Sequence, residues 1–212
     1  MKIQIITLFP EMFSGVLATS MLWKAADRGL AEYSFINLRE YGLGPRHQID
    51  DTPYGGGDGM LLMVEPLLNA IKAARQNDPG ARVLLPTPRG SVYQQSDAKR
   101  LAAGGQGLII ICPRYEGCDE RITKWIDDQY CVGSYVLTGG ELPAMIIIDS
   151  VVRLIPGVLG GATSADIESF QADNVFIEFP QYTRPQSFQG LSVPDVLLSG
   201  NHSEIAKWRL NN

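Results

Sequence analysis

Three short stretches combine groups able to move a proton or steady a charge with backbone suited to a binding loop. Arg114-Tyr115-Glu116-Gly117 follows an apolar run from Leu108 to Cys112, so a cation, an aromatic ring and a carboxylate stand at the end of a buried strand. Taken alone, Arg114 with Glu116 reads equally as a structural ion pair. Arg153 comes late in an apolar helical stretch and is followed by Leu154 and Ile155. There it either caps the negative end of the helix or points into a site. Asp166 and Glu168 come after a stretch rich in Gly, Ala, Ser and Thr. A carboxylate on such a loop acts as a general base or stands as a solvated acid. A further stretch, Gly55-Gly56-Gly57-Asp58-Gly59, lets backbone approach a ligand closely. It is not a P-loop, because no Gly-Lys-Ser/Thr follows, and surface loop and binding loop are both open readings.

The elements that must position these groups alternate along the chain. Strands are expected over residues 2–8, 32–38, 82–85 and 108–112, with a second site strand ending in Tyr135-Val136-Leu137 before Thr138-Gly139-Gly140-Glu141-Leu142-Pro143. Helices are expected over 12–28 (stopping at Gly29), 65–77 (closed by Asp78-Pro79-Gly80), 94–103, 119–127 and 141–154. Alternation of this kind predicts an α/β fold with a largely parallel sheet. Ligands of such sheets sit outside the carboxyl ends of the strands, which places the site at the turns after Cys112 and around Gly139-Gly140. Beyond Pro156 the character changes: 157–165 reads as a mobile linker, 174–184 is aromatic with interspersed prolines, and 192–198 is a short turn or helix start. A last helix over 203–209 is expected to take Ser203 as its N-cap.

At 212 residues the chain can bury one core with a small appendage, or form two modest domains. An apolar share of 45% with 19% charged residues is ordinary for a globular chain, which argues against disorder. The apolar runs are too short to span a bilayer, and Pro10 and Glu11 come too early for a signal peptide. Cys112, Cys118 and Cys131 form no CxxC pair, so thiols in a reducing cytoplasm are expected rather than a disulfide framework or zinc site. A net charge of −5 argues against a broad nucleic-acid surface. It leaves room for local patches at Arg39, Arg46 and His47, and at Arg184, His202, Lys207 and Arg209, with scattered solvated charge as the alternative.

Taken together, the segments resemble the bacterial TrmD-type tRNA (guanine-N1)-methyltransferases of the SPOUT class. The resemblance rests on Leu8-Phe9-Pro10-Glu11-Met12-Phe13, on Asp50-Asp51 through Pro53-Tyr54-Gly55-Gly56-Gly57 and Gly59-Met60, and on Arg114-Tyr115-Glu116-Gly117 with Asp119-Glu120-Arg121. It continues through Gly139-Gly140-Glu141-Leu142-Pro143-Ala144, Ile155-Pro156-Gly157-Val158-Leu159-Gly160, Tyr182-Thr183-Arg184-Pro185 and Leu197-Leu198-Ser199-Gly200-Asn201-His202. So many ordered blocks cover nearly the whole chain.

The resemblance implies a SPOUT domain over residues 1–160 with a deep C-terminal trefoil knot, a linker over 161–175, and a shortened, mostly helical tRNA-binding segment over 176–212. It implies a cytoplasmic homodimer with active sites at the subunit interface. S-adenosylmethionine would lie in the knot, held mainly by backbone of three loops. These match Leu85, Pro86, Thr87 and Pro88; Pro113, Arg114, Tyr115, Glu116 and Gly117; and Val132, Gly133, Ser134, Tyr135, Val136 and Leu137 with Gly139, Gly140 and Pro143. The methyl would go to N1 of guanosine 37, beside the tRNA anticodon. N1 of neutral guanine carries a proton, so a general base is needed, together with a cation near O6. The resemblance assigns the cation to Arg153 and the base to Glu168, with Glu116 also catalytic, Asp166 as a fallback base, and Mg²⁺ as an associated ion. The chain departs from the family at Glu168 (usually aspartate), Pro113 (usually glycine) and Asp58 (often proline), and its C-terminal segment is short. Those departures keep open a catalytically weakened RNA- or cofactor-binding relative, or a SPOUT methyltransferase acting on another RNA.

Overall fold

The computed structural model of the chain describes residues 1–160, 168–170 and 177–211. The chain divides into two compact units, Met1–Ala162 and Thr163–Asn212.

The first unit is built on a five-stranded sheet. Its strands are β1 (Lys2–Thr7), β2 (Glu32–Asn37), β5 (Arg82–Val92), β6 (Leu108–Ile111) and β7 (Asp128–Cys131), in the order β2-β1-β6-β5-β7. All four pairings are parallel. Every residue of Leu108-Ile109-Ile110-Ile111 is buried, as expected of a central parallel strand covered on both faces. Alternate residues divide between two cores. Ile3, Ile5, Leu84, Leu108 and Ile110 face one way, and Ile6, Val83, Leu85, Ile109 and Ile111 the other. On the first face pack α2 (Ser20–Asp27), α4 (Gln95–Ala103) and α5 (Glu141–Val152). On the second lies α3 (Val64–Asn77), which buries Pro66, Leu67, Ala70, Ile71 and Ala74 along one stripe. A small antiparallel pair, β3 (Asp50–Asp51) and β4 (Leu61–Leu62), brackets the glycine-rich loop.

The expected helix over 12–28 is broken. A 3-10 turn (Pro10–Phe13) leads into α1 (Ser14–Leu17), and α2 begins only at Ser20. The Thr19 hydroxyl donates to the Gly15 carbonyl at 2.7 Å while its own backbone is extended, so a side chain terminates the helix there. The expected helix over 119–127 is a 3-10 segment (Glu120–Trp125), with the Asp119 carboxylate accepting from the Arg121 N–H at 2.9 Å. Strand β5 runs well past Leu85, with a register shift between Pro86 and Ser91, where two prolines lack the N–H a regular ladder needs.

In the second unit, β8 (Ser187–Phe188) and β9 (Leu191–Ser192) form a tight hairpin through Gln189 and Gly190, both at positive φ. Two helices follow, α6 (Asp195–Leu198) and α7 (His202–Asn211). The cap of α7 is Asn201 rather than Ser203: its side-chain oxygen accepts from Ser203 N at 3.2 Å and Glu204 N at 3.3 Å. Phe179 and Tyr182 pack around Trp208, and the Arg209 guanidinium lies 4.8 Å above the Phe179 ring. No described residue of this unit is fully buried.

Candidate functional site

Because β6, β5 and β7 are neighbours, their C-terminal ends deliver three loops to one place. Pro86, Thr87 and Pro88 come from the irregular part of β5. Residues 113–117 follow β6, and residues 132–140 connect β7 to α5. Together they enclose a crevice of about 250 Å³, near the lower end of ordinary ligand pockets. Its wall includes Pro113, Arg114, Tyr115, Glu116 and Gly117, and also Val132, Gly133, Tyr135, Val136, Leu137, Gly139, Gly140 and Pro143.

Two expected positions are not on this wall. Leu85 is buried and lines an adjacent hollow of about 400 Å³ that shares Pro86–Pro88 and Glu116–Gly117 with the first. Ser134 faces outward. Two lining residues, Tyr130 and Cys131, were not anticipated. They lie on β7, which occupies 128–131 instead of running into Tyr135–Leu137; Tyr135 and Val136 are exposed loop residues. The acidic start of β7 hid it. Asp127 closes the expected 119–127 helix and Asp128 carries no strand pattern, yet Asp127 Oδ2 accepts from Val83 N at 2.7 Å, and Asp128 pairs with Arg82 at 2.9 Å and Arg100 at 3.0 Å. Arg100 also hydrogen-bonds the hydroxyl of buried Tyr130. Burial, with the nearby carboxylates of Asp128 and Asp97, pushes that hydroxyl up to about 12, so it stays protonated at neutral pH.

The loops are held by close backbone contact. A Cβ at Gly140 would fall 2.4 Å from Pro113 Cδ and 2.7 Å from Cys112 Cα, so a side chain there would force the two loops apart. Gly140 N donates to Pro113 O at 2.7 Å across the same contact. Tyr115 and Gly117 both take positive φ, and a Cβ at Gly117 would meet open space, which leaves the cavity wall bare there.

The glycine-rich loop belongs to this neighbourhood. Glu116 N donates to Met60 O at 3.0 Å, and Leu62 N to Gly117 O at 3.0 Å. A Cβ at Gly59 would lie 2.7 Å from Glu116 Cγ, so this residue must be small for the Glu116 side chain to lie across it. Arg114 does not pair with Glu116 as its sequence position suggested. Its Nε lies 2.9 Å from Oε2 of Glu141, a contact ion pair without hydrogen-bond alignment. Burial, and after it the Glu141 charge, push the Cys112 thiol well above its ordinary range. Burial, with Glu120 and Asp119 adding, raises Cys118 to about 11. Neither is an activated nucleophile.

Arg153, Glu168 and Asp166 are the remaining expected residues. Arg153 stands at the C-terminal end of α5, about 18 Å along the helix axis from the end that lines the crevice. Glu168 is half-buried and belongs to the second unit, and Asp166 falls outside the described residues. Among the described residues no three acidic, histidine or cysteine side chains gather as a metal site, and no helix is long and apolar enough to cross a membrane. The surface cations Arg39, Arg46, His47, Arg184, His202, Lys207 and Arg209 are all exposed.

A parallel α/β sheet with a crevice built from backbone loops at adjacent strand ends defines a ligand-binding α/β protein that needs no dinucleotide fingerprint. Within that class the chain belongs to the tRNA (guanine-1)-methyltransferase TrmD family, whose sequence profile matches residues 1–212. It is 52% identical over 210 residues to a tRNA (guanine-N(1)-)-methyltransferase of Geobacter sulfurreducens, covering 99% of this chain and 84% of that protein. It is 50% identical over 210 residues to the protein of the same name from Citrifermentans bemidjiense, covering 99% and 83%. The crystal structure of tRNA (m1G37) methyltransferase from Aquifex aeolicus superimposes with a TM-score of 0.81 at 35% identity, over 100% of this chain and 88% of that one.

Proposed function

We propose that this chain transfers a methyl group from S-adenosylmethionine to N1 of guanosine 37 in tRNA. The observation that carries the reading is the convergence of the three loops after β5, β6 and β7 on one crevice, in a chain that matches the family over its full length. The residues fit the donor. Proline, valine, leucine and tyrosine walls suit an adenosine, and bare backbone at Gly117 leaves room against the wall. When bound, S-adenosylmethionine supplies an electrophilic methyl on a sulfonium.

The protein's part is to hold the target base and manage its proton. The Glu168 carboxylate accepts the N1 proton as the methyl arrives, and Arg153 steadies the negative charge that develops toward O6. Glu116, laid across Gly59 at the rim of the crevice, orients the base. The second unit grips the anticodon stem, with the exposed Arg184, His202, Lys207 and Arg209 facing phosphate. Mg²⁺ usually takes only one or two protein carboxylates, and among the described residues no three acidic, histidine or cysteine side chains gather into a fuller cage.

The knot belongs to the same reading: residues 132–140 return against residues 112–113, so that Gly140 packs on Pro113 before α5 passes into the core. The dimer is supported by α5 itself. Most of the helix is buried, yet Leu142 and Ile146 are 48% and 44% exposed on a stripe that continues through Asp149 to half-buried Arg153. Antiparallel pairing of two such stripes about a twofold axis brings the Arg153 end of one helix toward the crevice end of the other. That arrangement gives Arg153 a site to serve.

The reading is tested by incubating the protein with labelled S-adenosylmethionine and two tRNA transcripts that differ only in guanosine or adenosine at position 37. Label is expected in the guanosine transcript alone. Label in neither transcript, or in both, overturns the assignment.

A further inference from the structure

The carboxylate of Glu141 is 1% exposed and opens α5 directly after Gly139 and Gly140, two residues of the crevice wall. One oxygen accepts from the Thr7 hydroxyl at 2.9 Å, and the same hydroxyl accepts from Phe9 N at 3.0 Å. The other oxygen faces Arg114 Nε at 2.9 Å. The Arg114 guanidinium then spreads over three partners: it donates to Thr138 O at 3.3 Å, sits 3.0 Å from Met12 Sδ, and lies 4.5 Å above the Phe9 ring. Gly139 is pressed onto the pair, since a Cβ there would fall 2.5 Å from Arg114 Nε and 2.7 Å from Glu141 Oε2. Buried Glu141 and half-buried Arg114 together tie the turn after β1, the crevice loop after β6 and the crevice loop before α5.

We infer that Glu141 is a positioning residue for the methyl-donor crevice, acting through Arg114, which it holds so that the 113–117 and 138–140 loops keep the spacing the donor requires. The inference rests on the reading of this crevice as the donor site. A carboxylate in the first turn of α5 is favoured there by the helix dipole, and a buried charge is tolerated only with its partners in place. Arg114 donates to Thr138 O and Met12 Sδ from one rigid plane whose Nε edge faces Glu141, an arrangement lysine cannot reproduce. The pair therefore sets loop geometry as well as stability.

The test compares Glu141→Gln and Arg114→Lys with the natural chain, reading the donor KM, kcat at saturating donor, donor Kd by calorimetry and the melting temperature. Glu141→Gln keeps shape and the bond from Thr7 but leaves Arg114 without its counter-charge. Its donor KM and Kd are expected to rise about tenfold or more, while kcat at saturating donor and tRNA affinity change by less than about threefold. A folded Glu141→Gln protein whose donor Kd stays within about twofold of the natural one overturns the inference, because a merely structural role lowers only the melting temperature. If Glu141→Gln does not fold, Arg114→Lys decides: it keeps the charge but not the fork, and an unchanged donor Kd overturns the proposal in the same way. Failure of the natural chain itself to bind S-adenosylmethionine overturns the donor-site reading, and this inference with it.

Discussion

Glu168 and Arg153 are the residues on which turnover is expected to depend, Glu168 in the second unit and Arg153 at the end of α5 away from the crevice. A general base contributes about 10²–10⁴-fold, so Glu168→Ala should cost that much in single-turnover rate with a guanosine-37 transcript, while Glu168→Asp keeps the carboxylate and most of the rate. Arg153→Ala should nearly abolish turnover and leave donor binding intact. A normal rate in Glu168→Ala or Arg153→Ala would remove that residue's assigned role. At this scale the sequence was only half legible. Residue types announced the chemistry, but partners depended on the fold: Arg114 found Glu141, twenty-seven positions away, rather than Glu116 two positions on.

The elements that shape the crevice depend on one close approach, that of Gly140 to Pro113 and Cys112. Gly140→Ala adds a methyl where backbone and proline ring already touch, and overpacking of that kind costs about 1–3 kcal/mol. In a chain of this size such a loss lowers the melting temperature by several degrees, and here it should weaken S-adenosylmethionine binding as well. Gly160→Ala is the matched control, because its Cβ meets nothing within 4 Å and it should melt like the natural chain. The buried strands β1 and β6 and the stripe of α3 were readable from apolar pattern alone. Strand β7 was displaced by several residues, because its acidic beginning is satisfied by Arg75, Arg82, Arg100 and the Val83 backbone, which come from α3, β5 and α4.

For the whole molecule, the exposed stripe of α5 is the expected seam between two copies. Ile146→Glu puts a charge in its middle and should convert a dimer to monomers in sedimentation velocity, with methyl transfer falling in step because each site would lose its partner's contribution. A dimer that survives with full activity would move the interface elsewhere. Sheet class was foreseeable at this scale, since strands alternating with helical stretches leave few topologies other than a parallel sheet. Strand order was not: β2-β1-β6-β5-β7 places the last of the five strands in the chain beside the third, and nothing local records that choice.

By itself the sequence determined which segments are buried, that they alternate as an α/β chain does, and, through its ordered blocks, the family to which it belongs. These are properties of pattern and identity, and they survive without coordinates. Only the tertiary structure decided which loops share a wall, that Tyr130 and Cys131 join it, that the glycine-rich loop leans on Glu116, and that buried Glu141 pairs with Arg114 of that wall. The physical reason is that side-chain pairing and backbone approach are set by strand order, which brings together residues distant in the chain, whereas burial and helical period are written locally.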